Sequence, residues 1–112
     1  MNMELYTENE VVWVKLSGRL DIEGTARVED EFRSALQDAW RGAVVDMEEV
    51  DFITSMGLRM LMTSAHDLLK RGGRLIVLKP QWRVRESLEI SGLDKAIAVA
   101  EFQEDVPALL IG

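Results

Sequence analysis

The sequence predicts a single α/β domain: a mixed, mostly parallel sheet with an N-terminal antiparallel hairpin and about four covering helices. Three observations predict it. At 112 residues the chain has the length of one compact domain, which would bury roughly two-thirds of the surface its extended form exposes. Its hydrophobic residues, 47% of the total, fall in short runs that switch between strand-like alternation and helical spacing. Turn and cap residues separate those runs into the order β β α β α β α β α.

Met3 to Thr7 and Val11 to Ser17 are expected strands joined by the polar turn Glu8-Asn9-Glu10, with Val12, Val14 and Leu16 on one face. From Thr25 the spacing of Val28, Phe32, Ala35, Leu36, Ala39 and Trp40 predicts a helix that Thr25 caps and Gly42 ends. Ala43 to Asp46 is a short apolar strand, followed by an acidic loop, MEEVD. The second helix is expected to turn Leu58, Leu61, Met62, Ala65 and Leu69 to the core and to stop at Gly72-Gly73.

Leu75 to Leu78 reads as the next strand. Pro80 is expected to open a third helix running to about Ile90, closed by Gly92, with Leu93 placed for the apolar contact of a left-handed helix end. Ile97 to Val99 makes the last strand, and Asp105 with Pro107 starts a terminal helix carrying Leu109, Leu110 and Ile111. Strands linked by helices of this length form right-handed crossovers between parallel neighbours. Sites on such folds lie at the carboxyl ends of the strands.

Composition removes much chemistry. There is no cysteine and one histidine, His66, so disulfides, thiolate zinc sites, cysteine nucleophiles and any site needing two imidazoles are excluded. A net charge of −7 argues against direct nucleic-acid binding, which needs clustered cations. The acidity is uneven: residues 1–56 carry 5 basic and 13 acidic side chains, and residues 57–112 carry 8 and 7. Lys70, Arg71, Arg74, Lys79, Arg83 and Arg85 make the second half locally basic, a polarity able to orient a charged partner. No apolar run approaches the roughly 18 to 20 residues that span a bilayer, and the start, MNMELYTENE, lacks the basic-then-apolar pattern of a secretory signal. The expectation is a cytoplasmic protein without membrane insertion, metal or cofactor.

The chemistry-bearing stretch is FITSMGLRML, Phe52 to Leu61. With Thr54 as N-cap, Ser55 falls in the first turn of the second helix, where free N–H groups and the helix dipole favour negative charge. Asp21, in the loop SGRLDIEGT, should come up beside Ser55 if the second and third strands are neighbours, and its carboxylate could hold the serine hydroxyl. On the helix face opposite the expected core stripe lie Met56, Met60, Thr63 and Asp67, an apolar surface suited to docking. A phosphate, adding about −1.5 to −2 charges, would disrupt such an interface locally. The plain alternative is that Thr54 and Ser55 only cap a helix and Asp21 only makes a turn.

The segments VVWVKLSGRLD, AVVDMEEVDFITSMGLRML and KRGGRLIVLKPQWRVRESLEISGLD, in that order and spacing, resemble the STAS domain, and within it the small bacterial anti-sigma-factor antagonists. The resemblance covers nearly the whole chain. It implies a partner-switching cycle. The unphosphorylated antagonist binds an anti-sigma factor and frees a sigma factor. The anti-sigma factor acts as an ATP-dependent serine kinase that switches the antagonist off, and a serine phosphatase restores it. By this resemblance Ser55 is the phosphoacceptor, Asp21 the loop aspartate, and Gly57 and Leu58 the helix-start glycine and leucine. Thr54 stands where many members have Asp, and Met56 where many have a second serine. Thr54 is thereby a second candidate acceptor.

Three other readings compete with this one. A phosphoaspartate receiver is suggested by Asp46, Glu48, Glu49 and Asp51 with Lys79-Pro80, but no acidic pair follows the first parallel strand. An enzyme using paired carboxylates such as Asp21 and Asp51 would need them in a cleft. A STAS scaffold whose serine is never modified, in a signalling complex or a transport system, remains as the alternative function.

Overall fold

The structure, a computed structural model, describes residues 1–111. Its elements run in the order β1 (Asn2–Glu8), β2 (Val11–Leu20), α1 (Ile22–Leu36), β3 (Gly42–Ile53), α2 (Ser55–Lys70), β4 (Arg74–Leu78), α3 (Trp82–Ile90), β5 (Ala98–Ala100) and α4 (Val106–Ile111). Single 3-10 turns at Leu93–Lys95 and Gln103–Asp105 precede β5 and α4. The five strands lie in the order β1-β2-β3-β4-β5, with β1 antiparallel to β2 and every other pair parallel. This is the mixed sheet with an N-terminal hairpin that the sequence predicts.

Each crossover advances one strand in the same direction, so right-handed connections place α1, α2 and α3 on the same face. There Val14, Leu16, Val45, Met47 and Val77 of the sheet pack against Phe32, Leu61, Leu68, Val84 and Leu88 of the helices. The other face holds a smaller cluster of Val11, Val44, Ile76 and Leu78, covered by Val106, Leu109 and Leu110 of α4. Leu93, after the left-handed Gly92 (φ 77°), is buried as expected from a helix end of this kind.

Several boundaries differ from the expectation, for identifiable reasons. The N-cap of α1 is Asp21, not Thr25: the Asp21 carboxylate accepts a hydrogen bond from the Gly24 N–H at 2.7 Å. Thr25 is a fully buried residue inside the first turn. α1 ends at Leu36, so Ala39 and Trp40 lie beyond it, and Gly42 opens β3 instead of closing a helix. Gly42 has φ 146°, and a Cβ there would stand 2.6 Å from the Arg74 carbonyl oxygen, which fixes glycine at the start of this central strand. Pro80 precedes α3, whose N-cap is Gln81. β5 begins one residue later than the predicted Ile97.

The largest correction concerns MEEVD, expected as a loop. It is strand. β3 continues to Ile53 with Met47 and Val50 fully buried and Glu48, Glu49 and Asp51 exposed. Its pairing with β2 jumps from Lys15↔Asp46 to Ser17↔Glu49 and from Gly18↔Val50 to Arg19↔Phe52. Each jump gives β3 an extra residue, a bulge that breaks strict alternation and hides the strand from a period-two reading. Pairing of β3 with β4 ends at Asp46↔Leu78, whereas pairing with β2 runs to Leu20↔Ile53. The β2–β3 ribbon therefore outruns the rest of the sheet, and α2 starts at its tip.

Candidate functional site

The final pair of the ribbon, Leu20↔Ile53, sets the register of both helix starts: Asp21 and Thr54 each come one residue past the end of paired neighbouring strands. Thr54 is tied back to β2 twice, its N–H donating to the Leu20 carbonyl at 2.9 Å and its hydroxyl to the same oxygen at 3.0 Å. Thr54 thus occupies the N-cap position of α2, as expected, while its side chain makes no cap bond. The Leu58 N–H finds an acceptor in the Thr54 carbonyl at 3.0 Å. The N–H groups of Ser55, Met56 and Gly57 precede the first intrahelical bond, and no acidic residue occupies the first turn. The positive end of α2 is left open beside an exposed Ser55.

Gly57 explains how this helix start sits so low on the ribbon. A Cβ there would lie 2.8 Å from Ile53 Cγ1 and 3.1 Å from Leu20 Cβ, closer than packed carbons come, so only glycine lets the first turn of α2 rest on those two residues.

Asp21 is brought to the same edge as Ser55, but its carboxylate is engaged elsewhere. One oxygen accepts from Gly24 N–H, and the other lies 3.8 Å from Arg19 Nε. Arg19 also stacks over the Phe52 ring, 4.4 Å from its centre. Among the described residues, no hydrogen bond joins Asp21 to Ser55, where the sequence suggested that the carboxylate could hold the serine hydroxyl. Farther down the ribbon, Lys15 donates to Glu49 at 2.8 Å. That bond, with the Glu49 charge, holds the Lys15 pKa above the ordinary lysine value.

The face of α2 corrects the expected docking surface. Met60 is fully buried, not outward, while Met62 and Leu69, expected in the core, are exposed. The true core stripe is Gly57, Met60, Leu61, Ser64, Ala65 and Leu68. Met56, as expected, is exposed, and Leu58 and Thr63 are half-buried. Asp67 does not join them: it lines a separate groove with Arg33, Gln37, Lys70 and Arg71 at the far end of α1 and α2. Twelve residues of helix put it roughly 18 Å from Ser55.

Ser55 itself opens onto a cleft of about 250 Å³ between α2 and the end of α3, lined by Leu58, Arg59, Met62, Ser91 and Leu93. Three of those are apolar and Arg59 supplies a cation, so the cleft can receive an apolar side chain with a polar or acidic neighbour. Sequence reasoning missed Arg59, Met62, Ser91 and Leu93 as neighbours of Ser55. Arg59 was findable, because residues four apart on a helix meet; Ser91 and Leu93 depend on the tertiary placement of α3. Among the described residues, no group of His, Asp and Glu is arranged to hold a metal, and no helix is long and apolar enough to cross a membrane.

The STAS domain profile matches residues 2–108. Over 104 residues the chain is 28% identical to the anti-sigma-B factor antagonist of Staphylococcus aureus (strain NCTC 8325 / PS 47), covering 93% of this chain and 96% of that protein. Its structure is similar to that of the anti-sigma factor antagonist SpoIIAA in its unphosphorylated form, with a TM-score of 0.79, 24% identity and coverage of 96% of this chain and 95% of that one. The phosphorylated form of SpoIIAA, a Bacillus cell fate determinant, gives a TM-score of 0.73 at 24% identity, over 96% and 98% of the two chains. With nearly all of the sequence matched and the same fold in both SpoIIAA structures, this chain belongs to the STAS domain family.

Proposed function

We propose that this chain is an anti-sigma-factor antagonist whose unphosphorylated form binds an anti-sigma factor, and so frees a sigma factor. Phosphorylation at Ser55 by that anti-sigma factor, acting as an ATP-dependent serine kinase, switches it off, and a serine phosphatase resets it. The name of the staphylococcal relative supports the antagonist role. The observation that carries the switch is the uncapped start of α2: an exposed serine beside free backbone N–H groups, with no acid in the turn, at the rim of a largely apolar cleft.

In the transfer, the Ser55 oxygen forms a bond to the γ-phosphorus of ATP as the bond to the β–γ bridging oxygen breaks. ADP departs, and the serine proton passes to a base of the kinase. Ser55 is the better acceptor of the two candidates, because the Thr54 hydroxyl is half-buried and committed to the Leu20 carbonyl. The dipole and free N–H groups of α2 make the added charge tolerable to this fold. The same charge at the edge of Met56, Leu58 and Met62 costs the partner desolvation. Asp21 and Gly57 serve by holding the two helix starts in place.

Two measurements test this. Incubation with the cognate kinase and ATP, followed by intact mass, should show one added phosphoryl group that disappears in Ser55→Ala; no incorporation would favour the unmodified scaffold. Ser55→Asp and Ser55→Glu should each weaken partner binding by about tenfold or more, since a mismatched charge at an interface costs at least about 1.4 kcal/mol. Equal binding by both acidic variants and by the phosphorylated chain would overturn the reading.

A further inference from the structure

Resting on the phosphorylation of Ser55 just proposed, we infer that Arg59 is the built-in counter-ion of the modified serine, folding the phosphate onto α2 across the mouth of the α2–α3 cleft. Ser55 is the first residue of α2 and Arg59 lies one turn on, the i, i+4 spacing at which a negative residue nearer the N-terminus and a cation below it meet best. Both residues are exposed, and both line the same cleft together with Leu58 and Met62 of α2 and with Ser91 and Leu93 from beyond α3.

Among the described residues, Arg59 takes part in no side-chain hydrogen bond and stacks on no aromatic ring. Among the described residues the ion pairs are Lys15 with Glu49, Arg19 with Asp21 and Arg85 with Glu101; Arg59 is in none of them. No acid lies in the first turn of α2, so nothing on its own turn draws the guanidinium away. A planar guanidinium presents paired donors that match two phosphate oxygens at once, which a neutral serine hydroxyl does not reward. The cation is thus idle in the unmodified state and captured in the modified one. Capture places phosphate and guanidinium over the apolar lining of the cleft, so the modification closes the docking surface as well as charging its rim.

The test uses the full chain with phosphoserine installed at position 55 during synthesis, which needs no kinase. The readout is the second ionisation of the phosphate, monitored by phosphorus NMR, ordinarily near a pKa of about 6. Arg59 favours the dianion and therefore lowers that pKa. Arg59→Ala should raise it by roughly 0.2 to 0.4 of a unit, and Arg59→Lys should restore part of the difference. Lys70→Ala, about 22 Å along the same helix, lies beyond the roughly 8 to 10 Å screening length and should leave the titration unmoved. Identical titrations for Arg59→Ala and the unaltered sequence would overturn the inference, as would an equal shift in Lys70→Ala. An Arg59-dependent titration with undiminished partner binding by the phosphoserine chain would sink the switch and leave the counter-ion standing.

Discussion

The starts of α1 and α2 are built on the same plan and finished in opposite ways. Both helices leave the tip of one two-stranded ribbon, a residue past the Leu20↔Ile53 pair, and both set a glycine against that ribbon, Gly24 for α1 and Gly57 for α2. At α1 the chain neutralises its own helix end: Asp21 caps Gly24, and Glu23 adds a second acid in the first turn. At α2 the cap residue turns its hydroxyl back to Leu20, and the first turn has no acid. The fold tolerates an uncapped helix because Thr54 is anchored through its other bonds. What α1 takes from within the chain, α2 leaves without a side-chain cap or an acid in its first turn.

The glycines give the largest effects, because both helix starts depend on close approach. A Cβ on Gly24 would stand 2.0 Å from the Arg19 carbonyl oxygen, a backbone atom that cannot swing aside. Gly24→Ala is expected to cost about 3 kcal/mol, the upper part of the usual range for overpacking. At Gly57 the obstacles are Ile53 Cγ1 at 2.8 Å and Leu20 Cβ at 3.1 Å, side-chain atoms held close to their own backbone, and Gly57→Ala should cost about 2 kcal/mol. Alanine gains about 1 kcal/mol of helix propensity at either place, so stabilisation in either variant would mean that the approach is looser than it stands. Urea midpoints at unchanged slope measure both.

Next comes the cap. Asp21→Ala removes the acceptor for Gly24 N–H and should destabilise the protein by about 1 kcal/mol. Thr54→Val keeps the shape but removes the donor to Leu20, and should cost about 0.5 to 1 kcal/mol. If Asp21→Ala were neutral while Thr54→Val was costly, the two helix starts would be anchored alike, by bonds back to the ribbon, and the electrostatic contrast between them would lose its structural basis. Denaturation of the two single variants under identical conditions decides it.

How much of this was legible depended on how far each residue's environment was local. The order of elements along the chain, the parallel crossovers and the position of Ser55 at a helix start came from periodicity and cap residues, whereas the order of strands in the sheet came from the structure. The end of β3 did not, because two bulges displaced Met47 and Val50 from simple alternation. The phase of α2 failed for a different reason. Met56, Leu58, Met60, Met62 and Leu69 leave apolar residues on both sides of the helix, and the true stripe includes Gly57 and Ser64, small residues that a hydrophobicity pattern discounts. Met60 and Met62 stand about 200° apart on a helix, so choosing the wrong phase exchanged their sides. The site's location was readable; its inner surface, built by Ser91 and Leu93 at the end of α3, was set by packing.

The smallest effect on stability is the most discriminating. Ser55→Asp places a carboxylate on the turn of α2 that lacks one, making its start electrostatically like that of α1. The open N–H groups and the dipole should then stabilise the fold by about 0.3 to 1 kcal/mol, the opposite sign from every substitution above. The same variant is expected to lose the partner. A chain that becomes harder to unfold while releasing its partner cannot be releasing it through damage, which separates local charge from unfolding as the cause. A Ser55→Asp variant less stable than the parent would mean that the start of α2 is already electrostatically satisfied, and the contrast with α1 would then be one of geometry alone.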